Sequence, residues 1–491
     1  MQDVALPQRD KSSEPGLTGW LPASVPGPVL TLVPAAMLLA LLLRKIWDVD
    51  IFWQLKLGEL ALARHGPVRS EPFAALHLGE PLPSVAWLGQ AIMAGVRLLG
   101  GWDLLRVFDA LCWLGGFWAV GAACRSRGAP RHAVMLALVL SFAAAFQTAS
   151  IRPQSFAALC FGLLLALRRL DLRPSLTIVL GAPLLLAWQN LHPSVSVGVM
   201  AMGLIAAIDW QGWLRHRRRR VPLACTALAL LGCAAMFATP DGFSVLAISA
   251  RNAEASVAIS ASEWLPLWFP ANRANAARVV VVGLLVLWLV LRNRARADAG
   301  ELAVALALFL LTLAAYRFVL FWAVAIVPVI ARASAEPEGA GTVPSRRRAA
   351  IVVPVLLVAA LAPVLVPARF DPSLPLAALD RLQREHVRGT IYGDFPFGGP
   401  IIDTGWPDWH VAYDGRYYRY SSDEWKYNGG IENGYVPLVD VVRKWRPAAF
   451  VLDARHNAPL AGELARSPRW RRIYALGGVV VYVPDRGRMG A

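Results

Sequence analysis

The chain has 491 residues, of which 56% are hydrophobic and only 17% charged, and its mean hydropathy is +0.47. A single soluble domain, a secreted disulfide scaffold and a disordered tail are all excluded, because long uncharged stretches recur and lipid accepts only helices or closed barrels. The formal charge of +16 resides in short arginine runs between apolar stretches, which is a topology signal and not a phosphate-binding stripe, so no nucleic-acid partner is expected.

Residues 1–27 are polar and contain Pro and Gly, and read as a cytoplasmic tail before an uncleaved first span. The apolar runs that follow are rich in Leu, Ala and Val without dyad alternation, so they predict helices. Spans are expected at 28–46, 103–124, 131–150, 153–168, 174–191, 193–210, 221–239, 277–292, 300–315, 317–331 and 349–367, eleven in all. The apolar piece at 86–99 has about fourteen residues of about 1.5 Å rise each, too short for a hydrocarbon core of roughly 30 Å, and is expected to lie in the interface.

With 86–99 lying flat, eighteen arginines collect on one face: Arg125, Arg127, Arg131, Arg168, Arg169, Arg173, Arg215, Arg217 to Arg220, Arg292, Arg294, Arg296, Arg332 and Arg346 to Arg348. The positive-inside rule then assigns this face to the cytoplasm and residues 47–102, 240–276 and 368–491 to the outside. Arg44 and Lys45, at the outer end of the first span, run against the rule. Cys112, Cys124, Cys160, Cys225 and Cys233 lie in or beside apolar segments with no metal-ligand spacing and read as small core residues.

After Pro367 the composition changes. Helix-like stretches at 376–386, 436–445 and 460–466 alternate with strand-like ones at 390–392, 450–452 and 479–483, which predicts a small α/β domain over 368–491. From residue 370 on the net charge is only +2, so the basic surplus belongs to 28–367, the membrane module.

Chemistry-bearing residues gather where the spans should emerge outside. Asp48 and Asp50 stand two apart at the mouth of the first span, followed by an amphipathic stretch over 51–65 suited to the headgroup region. Two hard oxygen donors at this depth can supply a general base, hold a divalent cation such as Mg or Mn, or simply cap a helix. Arg152, Asn190, His192, Asp241, Glu263 and Arg317 all fall at the same end of their spans. Ionisable groups there usually face a cavity or a partner, although a snorkelling arginine or a helix-end pair would use the same residues. The aromatic run from Trp406 to Tyr427 has the composition either to grip sugar faces or to pack its domain onto the membrane part. Walker, GxGxxG, GxSxG and HExxH motifs are lacking.

In order and spacing these pieces resemble the GT-C superfamily of membrane glycosyltransferases, and within it a group of bacterial membrane proteins with a C-terminal extracytoplasmic domain. The matching stretches are Asp48-Val49-Asp50-Ile51-Phe52-Trp53 with Gly58-Glu59, Pro72-Phe73, Trp87-Leu88, Ile151-Arg152-Pro153-Gln154, Asn190-Leu191-His192, Glu263-Trp264, Arg317-Phe318, and Tyr392-Gly393-Asp394 through Asp414-Gly415-Arg416. Two departures are visible: Val85-Ala86 precede Trp87 where relatives tend to carry His-Glu, and Asp241 follows Pro240 where an aromatic is expected.

The resemblance implies a polytopic α-helical protein of the bacterial inner membrane that moves a sugar from a polyprenyl-phosphate carrier to a glycan, lipid or protein acceptor at the outer face, with inversion. Asp50 would be the base or metal ligand with Asp48 in support, and Arg152, Asn190, His192, Glu263 and Arg317 would bind substrate. A non-catalytic protein that binds or moves a lipid-linked glycan is the alternative.

Overall fold

A computed structural model describes residues 27–216, 222–334 and 345–485. The expected tail at 1–27, all but Gly27, and Arg217 to Arg220 lie outside the described residues. The membrane module consists of α1 (Gly27–Leu42), α2 (Asp50–Ala63), α3 (Trp87–Ser126), α4 (Arg131–Ala145), α5 (Gln154–Leu170), α6 (Pro174–Leu191), α7 (Val195–His216), α8 (Leu223–Ala235), α9 (Ser244–Ala258), α10 (Arg273–Arg292), α11 (Ala299–Ala314), α12 (Val319–Ala333) and α13 (Ser345–Leu365).

A helix stands at each of the eleven expected spans. Among the described residues, six segments are both long and apolar enough to cross a membrane: Trp87–Ser126, Arg131–Thr148, Pro174–Leu191, Val195–Arg215, Pro270–Arg292 and Tyr316–Ala333. The count of eleven crossings is therefore not established by length and hydropathy. The 13-residue α8, for example, covers only about 20 Å at 1.5 Å per residue.

The apolar face of each helix decides its place. α12 is apolar on all sides and lies at the centre, with Leu320, Ala323, Val324, Ile326, Val327 and Ile330 fully buried against α3, α4, α5, α10 and α11. α10 instead leaves Val281, Leu284, Leu287 and Leu291 exposed, an outward apolar stripe that suits lipid. The segment 86–99 is distinct from the span that follows: α3 breaks at Gly100 and Gly101, where Gly101 takes φ 63° and ψ −159°, a conformation open to glycine.

The C-terminal domain comprises α14 (Leu376–Arg384), β1 (Gly389–Gly393), α15 (Gly398–Gly405), β2 (Trp409–Val411), α16 (Ser422–Glu432), α17 (Leu438–Trp445), β3 (Ala449–Asp453), α18 (Ala458–Arg466), β4 (Trp470–Leu476) and β5 (Val479–Pro484). Its five strands are ordered β2-β1-β3-β5-β4, parallel from β2 to β3 and antiparallel beyond. The sequence signals β1, β3 and β5 because these are buried apolar runs; β2 has only three residues and β4 is exposed and irregular at Arg472/Tyr474.

Two backbone junctions tie this domain to the loop between α1 and α3. The Ile46 N–H donates to the Arg369 carbonyl (2.7 Å), and the Asp371 N–H to the Ile46 carbonyl (2.8 Å). At the sheet edge the Val411 N–H donates to Phe73 O and the Ala75 N–H to Val411 O, each at 2.9 Å, so residues 73–75 extend the sheet beyond β2. One core then runs through both parts: Trp53, Leu57 and Phe73 pack with Ile391, Ile401, Val411 and Val481.

Candidate functional site

The loop–domain junction brings the expected site residues to one end of the helix bundle. Asp48 and Asp50 open α2. The Asp50 N–H donates to Asp48 Oδ1 at 2.9 Å, and both acids stand at the positive end of the helix. Trp53, one turn on, donates its indole N–H to Asp50 Oδ1 at 3.1 Å. Arg152, in the turn before α5, brings its guanidinium between three carboxylates: 2.9 Å to Asp48 Oδ2, 3.6 Å to Asp50 Oδ2 and 3.2 Å to Glu263 Oε2. Its Nε–H is nevertheless aimed at Ser150 Oγ (3.0 Å), which leaves Asp48 Oδ2 buried without an aligned donor.

Charges this close in a poorly solvated place shift one another. Burial, and then the neighbouring Asp48 carboxylate, push Asp50 up to about 7, against the pull of Arg152 and the Trp53 hydrogen bond. Burial would also raise Glu263, but Arg152 and then Arg317 outweigh it and hold that carboxyl below its ordinary range. His192 is driven down to about 3 by burial and by Arg317 and Arg152, so it is a neutral imidazole whose Nδ1 is 2.8 Å from Ser194 Oγ.

Beside the acids lies a cleft of about 160 Å³, lined by Val85, Asn190, Asp241, Trp264, Arg317 and Tyr418 among others. Arg317 sits over the Trp264 ring at 3.7 Å to its centroid. Asn190 lines the cleft, yet its amide is committed: it accepts from Trp87 Nε1 (2.9 Å) and donates to the carbonyls of Ala238 (2.8 Å) and Leu186 (3.1 Å). Asp241 likewise serves as a tie, accepting from the Ser84 N–H at 2.8 Å and pairing with Arg69 at 3.2 Å. Thus Asp48, Asp50, Arg152 and Glu263 form one cluster, Arg317 and Asn190 line the adjoining cleft, and His192 lies close enough to both arginines to feel their charge.

The wall opposite Asp50 comes from the C-terminal domain. A Cβ added at Gly415 would lie 2.2 Å from Asp50 Oδ1 and 3.6 Å from Trp53 Nε1. The next residue, Arg416, is fully buried; its Nη atoms bind Glu71 at 2.7 and 2.9 Å, its Nε and Nη2 bind Asp414 at 2.9 and 2.6 Å, and it lies 5.2 Å above the Phe73 ring. Most of the aromatic run is domain core: Tyr413, Tyr420 and Trp425 are buried against Tyr392 and Trp445 and are out of reach of any sugar. Tyr417 packs at the edge of this core on Phe395 and Trp425 and lies within reach of the acids' charge; burial, then Asp50 and Glu263, raise its phenol above the ordinary range.

Glu71 and Asp109 escape the sequence reading of the site, while Gly415 and Tyr417 enter it only within the Asp414-Gly415-Arg416 match and the aromatic run. Asp109 had a usable signal, an acid inside an apolar span; it is buried behind the cluster and accepts from the Arg152 N–H at 3.3 Å. Glu71 has no such signal, and the placement of Gly415 and Tyr417 near Asp50 is visible only after the domain docks. Far from the acids, at the other ends of the same helices, Arg168, Arg169 and Arg332 pair with Asp209, Glu301 and Asp298. Arg44 donates to the Phe146 and Ala149 carbonyls at 2.6 and 2.7 Å, which accounts for an arginine at the acidic end.

For a divalent cation at Asp48 and Asp50 the fit is poor, because a permanent cation, Arg152, already stands between the two carboxylates. Asp394, Glu432 and His456 bring donor atoms within 4.8 Å of one another elsewhere in the C-terminal domain. There the imidazole bridges the acids, at 2.8 Å to Asp394 and 3.6 Å to Glu432, and the Asp394 hydrogen bond raises it to about 9.

No family model matches the chain, and no curated protein does. Solved structures do. ArnT from Cupriavidus metallidurans, determined bound to undecaprenyl phosphate, aligns at a TM-score of 0.54 and 15% identity over 95% of this chain and 98% of its own. The archaeal oligosaccharyltransferase AglB from Archaeoglobus fulgidus, in complex with an inhibitory peptide and a dolichol-phosphate, aligns at 0.53 and 11% over 94% and 74%. The mycobacterial arabinofuranosyltransferase AftD aligns at 0.51 and 14% over 94% of this chain, which spans 40% of that larger protein. At these identities the likeness is one of fold: this chain is folded like ArnT, AglB and AftD.

Proposed function

We propose that the protein is a glycosyltransferase that takes a sugar from a polyprenyl-phosphate carrier at the outer face of the bacterial inner membrane, with the acidic end of the bundle and the C-terminal domain outside. The observation that carries this reading is the convergence of Asp48, Asp50, Arg152 and Glu263 beside a cleft lined by Arg317, at the end of the bundle opposite the Arg168, Arg169 and Arg332 pairs. The sidedness follows from the arginine asymmetry.

In this reading Asp50 removes the proton of the acceptor hydroxyl, and a carboxyl held near 7 suits that task. The freed oxygen attacks the anomeric carbon from the face opposite the phosphate, the carbon–oxygen bond to the carrier breaks, and its electron pair leaves on the phosphate. Arg317 receives that phosphate: a ring holds its guanidinium in place at the cleft, and a planar fork suits phosphate oxygens. Arg152 faces three acids and acts as the cation that keeps Asp48 and Asp50 together, so no step requires a metal. His192, neutral, can donate or accept a hydrogen bond nearby. The test is incubation of the purified protein with undecaprenyl-phosphate pentoses and hexoses and a mixed envelope-glycan acceptor fraction, scored for free carrier phosphate. Release with at least one sugar is expected; tight carrier binding without any release would favour a binding protein instead.

A further inference from the structure

Asp50 has two oxygens, and their surroundings differ. Oδ1 accepts the Trp53 indole N–H at 3.1 Å and is faced by Gly415, where even one added carbon would approach it to 2.2 Å. Oδ2 is turned toward Arg152, at 3.6 Å, on the side where Glu263 leads to the cleft through Trp264. We propose that Gly415 is a positioning residue: with Trp53 it pins Oδ1 of Asp50, so that Oδ2 is the oxygen that takes the acceptor proton. The inference rests on the transferase reading above and adds to it a residue from a different domain and an assignment at the level of the atom.

The strength of the pin depends on whether the loop carrying Gly415 can retreat, and it is locked from both sides. Asp414 Oδ1 accepts the Arg416 backbone N–H and Nε–H, both at 2.9 Å, and Asp414 Oδ2 accepts the Tyr420 hydroxyl at 3.1 Å. Arg416 is in turn clasped by Glu71, whose Oε1 also accepts the Phe73 and Ala74 N–H groups at 2.8 and 2.9 Å. Every member of this lock is buried. A methyl group at 415 therefore displaces the Asp50 side chain and leaves the loop where it is. In the step itself the acceptor O–H bond breaks toward Oδ2, the acceptor oxygen bonds to the anomeric carbon, and the phosphate departs with the electron pair. An oxygen displaced by about 1 Å loses on the order of 10²-fold in rate, while the carrier, held at Arg317, binds as before.

The experiment compares wild type, Gly415→Ala and Trp53→Phe as full chains in detergent, measuring kcat and KM for the polyprenyl-phosphate sugar that the wild type consumes, together with the unfolding midpoint. Gly415→Ala is expected to lower kcat on the order of 10²-fold with KM within about twofold and an unchanged midpoint. Trp53→Phe, which removes one N–H from Oδ1 and keeps the ring, is expected to lower kcat by about tenfold with KM unchanged. Wild-type kcat in Gly415→Ala overturns the proposal, as does a loss carried wholly by KM, since the loop would then be holding carrier. Should Gly415→Ala fail to fold, Trp53→Phe decides alone, and unchanged kcat there overturns it. A wild type with no turnover on any sugar removes the transferase reading itself, a separate and recognisable failure.

Discussion

Two arginines in this molecule sit among carboxylates, and they have opposite characters. Arg416 is fully buried, as are its partners Glu71 and Asp414; its contacts are 2.6 to 2.9 Å, and Glu71 and Asp414 fill their remaining oxygens with backbone N–H groups and a tyrosine hydroxyl. Arg152 keeps 19% of its side chain exposed, its three ion pairs spread from 2.9 to 3.6 Å, and it leaves Asp48 Oδ2 without an aligned donor. A saturated buried cluster is a structural clasp, whereas one with slack and a carboxyl held near 7 retains capacity to exchange a proton. The first holds the wall; the second has the slack that the proposed transfer requires.

The largest effect expected from this difference is on folding. Arg416→Ala leaves two carboxylates buried without their cation, a loss of about 3–5 kcal/mol, read as a lower unfolding midpoint in detergent. A wild-type midpoint in that variant would erase the contrast between the clusters. Next comes the cleft: Arg317→Ala should weaken carrier binding by roughly 10- to 100-fold, the worth of one or two charge-assisted hydrogen bonds. Arg317→Lys should fall between, since a point charge replaces a fork; affinity for undecaprenyl phosphate by fluorescence titration checks both, and equality of all three proteins would reduce Arg317 to a snorkelling residue.

A smaller effect is the pH dependence. A base must be unprotonated to act, so the transfer rate should rise with pH up to about 7, the value to which burial and Asp48 push Asp50, and level off above it. Below that point the slope should approach tenfold per unit, and a profile flat from pH 5 to 8 would remove Asp50 from the rate-determining proton transfer. The smallest expected effect is none: chelation by EDTA should leave turnover unchanged, because the Arg152 cation already stands between the two acids. Loss of activity restored by Mg²⁺ or Mn²⁺ would return Asp48 and Asp50 to the role of metal ligands.

The sequence carries the bundle well, because spans and arginine runs are local signals: helices stand at all the expected places, and 86–99 separates from its span at Gly100-Gly101. What it cannot carry is how many helices cross, since several are short. The site is legible at its acids and arginines, where costly charges mark span ends. The roles are less so: spacing makes Arg152 and Arg317 equivalent, and only three-dimensional contact distinguishes the one enclosed by carboxylates from the one stacked on Trp264. Glu71 carries no local signal, and the motif that contains Gly415 does not reveal its approach to Asp50, because what matters is a docking across more than 300 residues of chain.

The claim that Asp50 is the base is tested most directly by carrier-phosphate release from Asp50→Asn beside wild type, with unfolding midpoints measured on the same preparations. The account predicts release reduced by about 10²- to 10⁴-fold, the usual contribution of a general base, in a protein that unfolds where the wild type does. Release at the wild-type rate from a folded Asp50→Asn protein would contradict it.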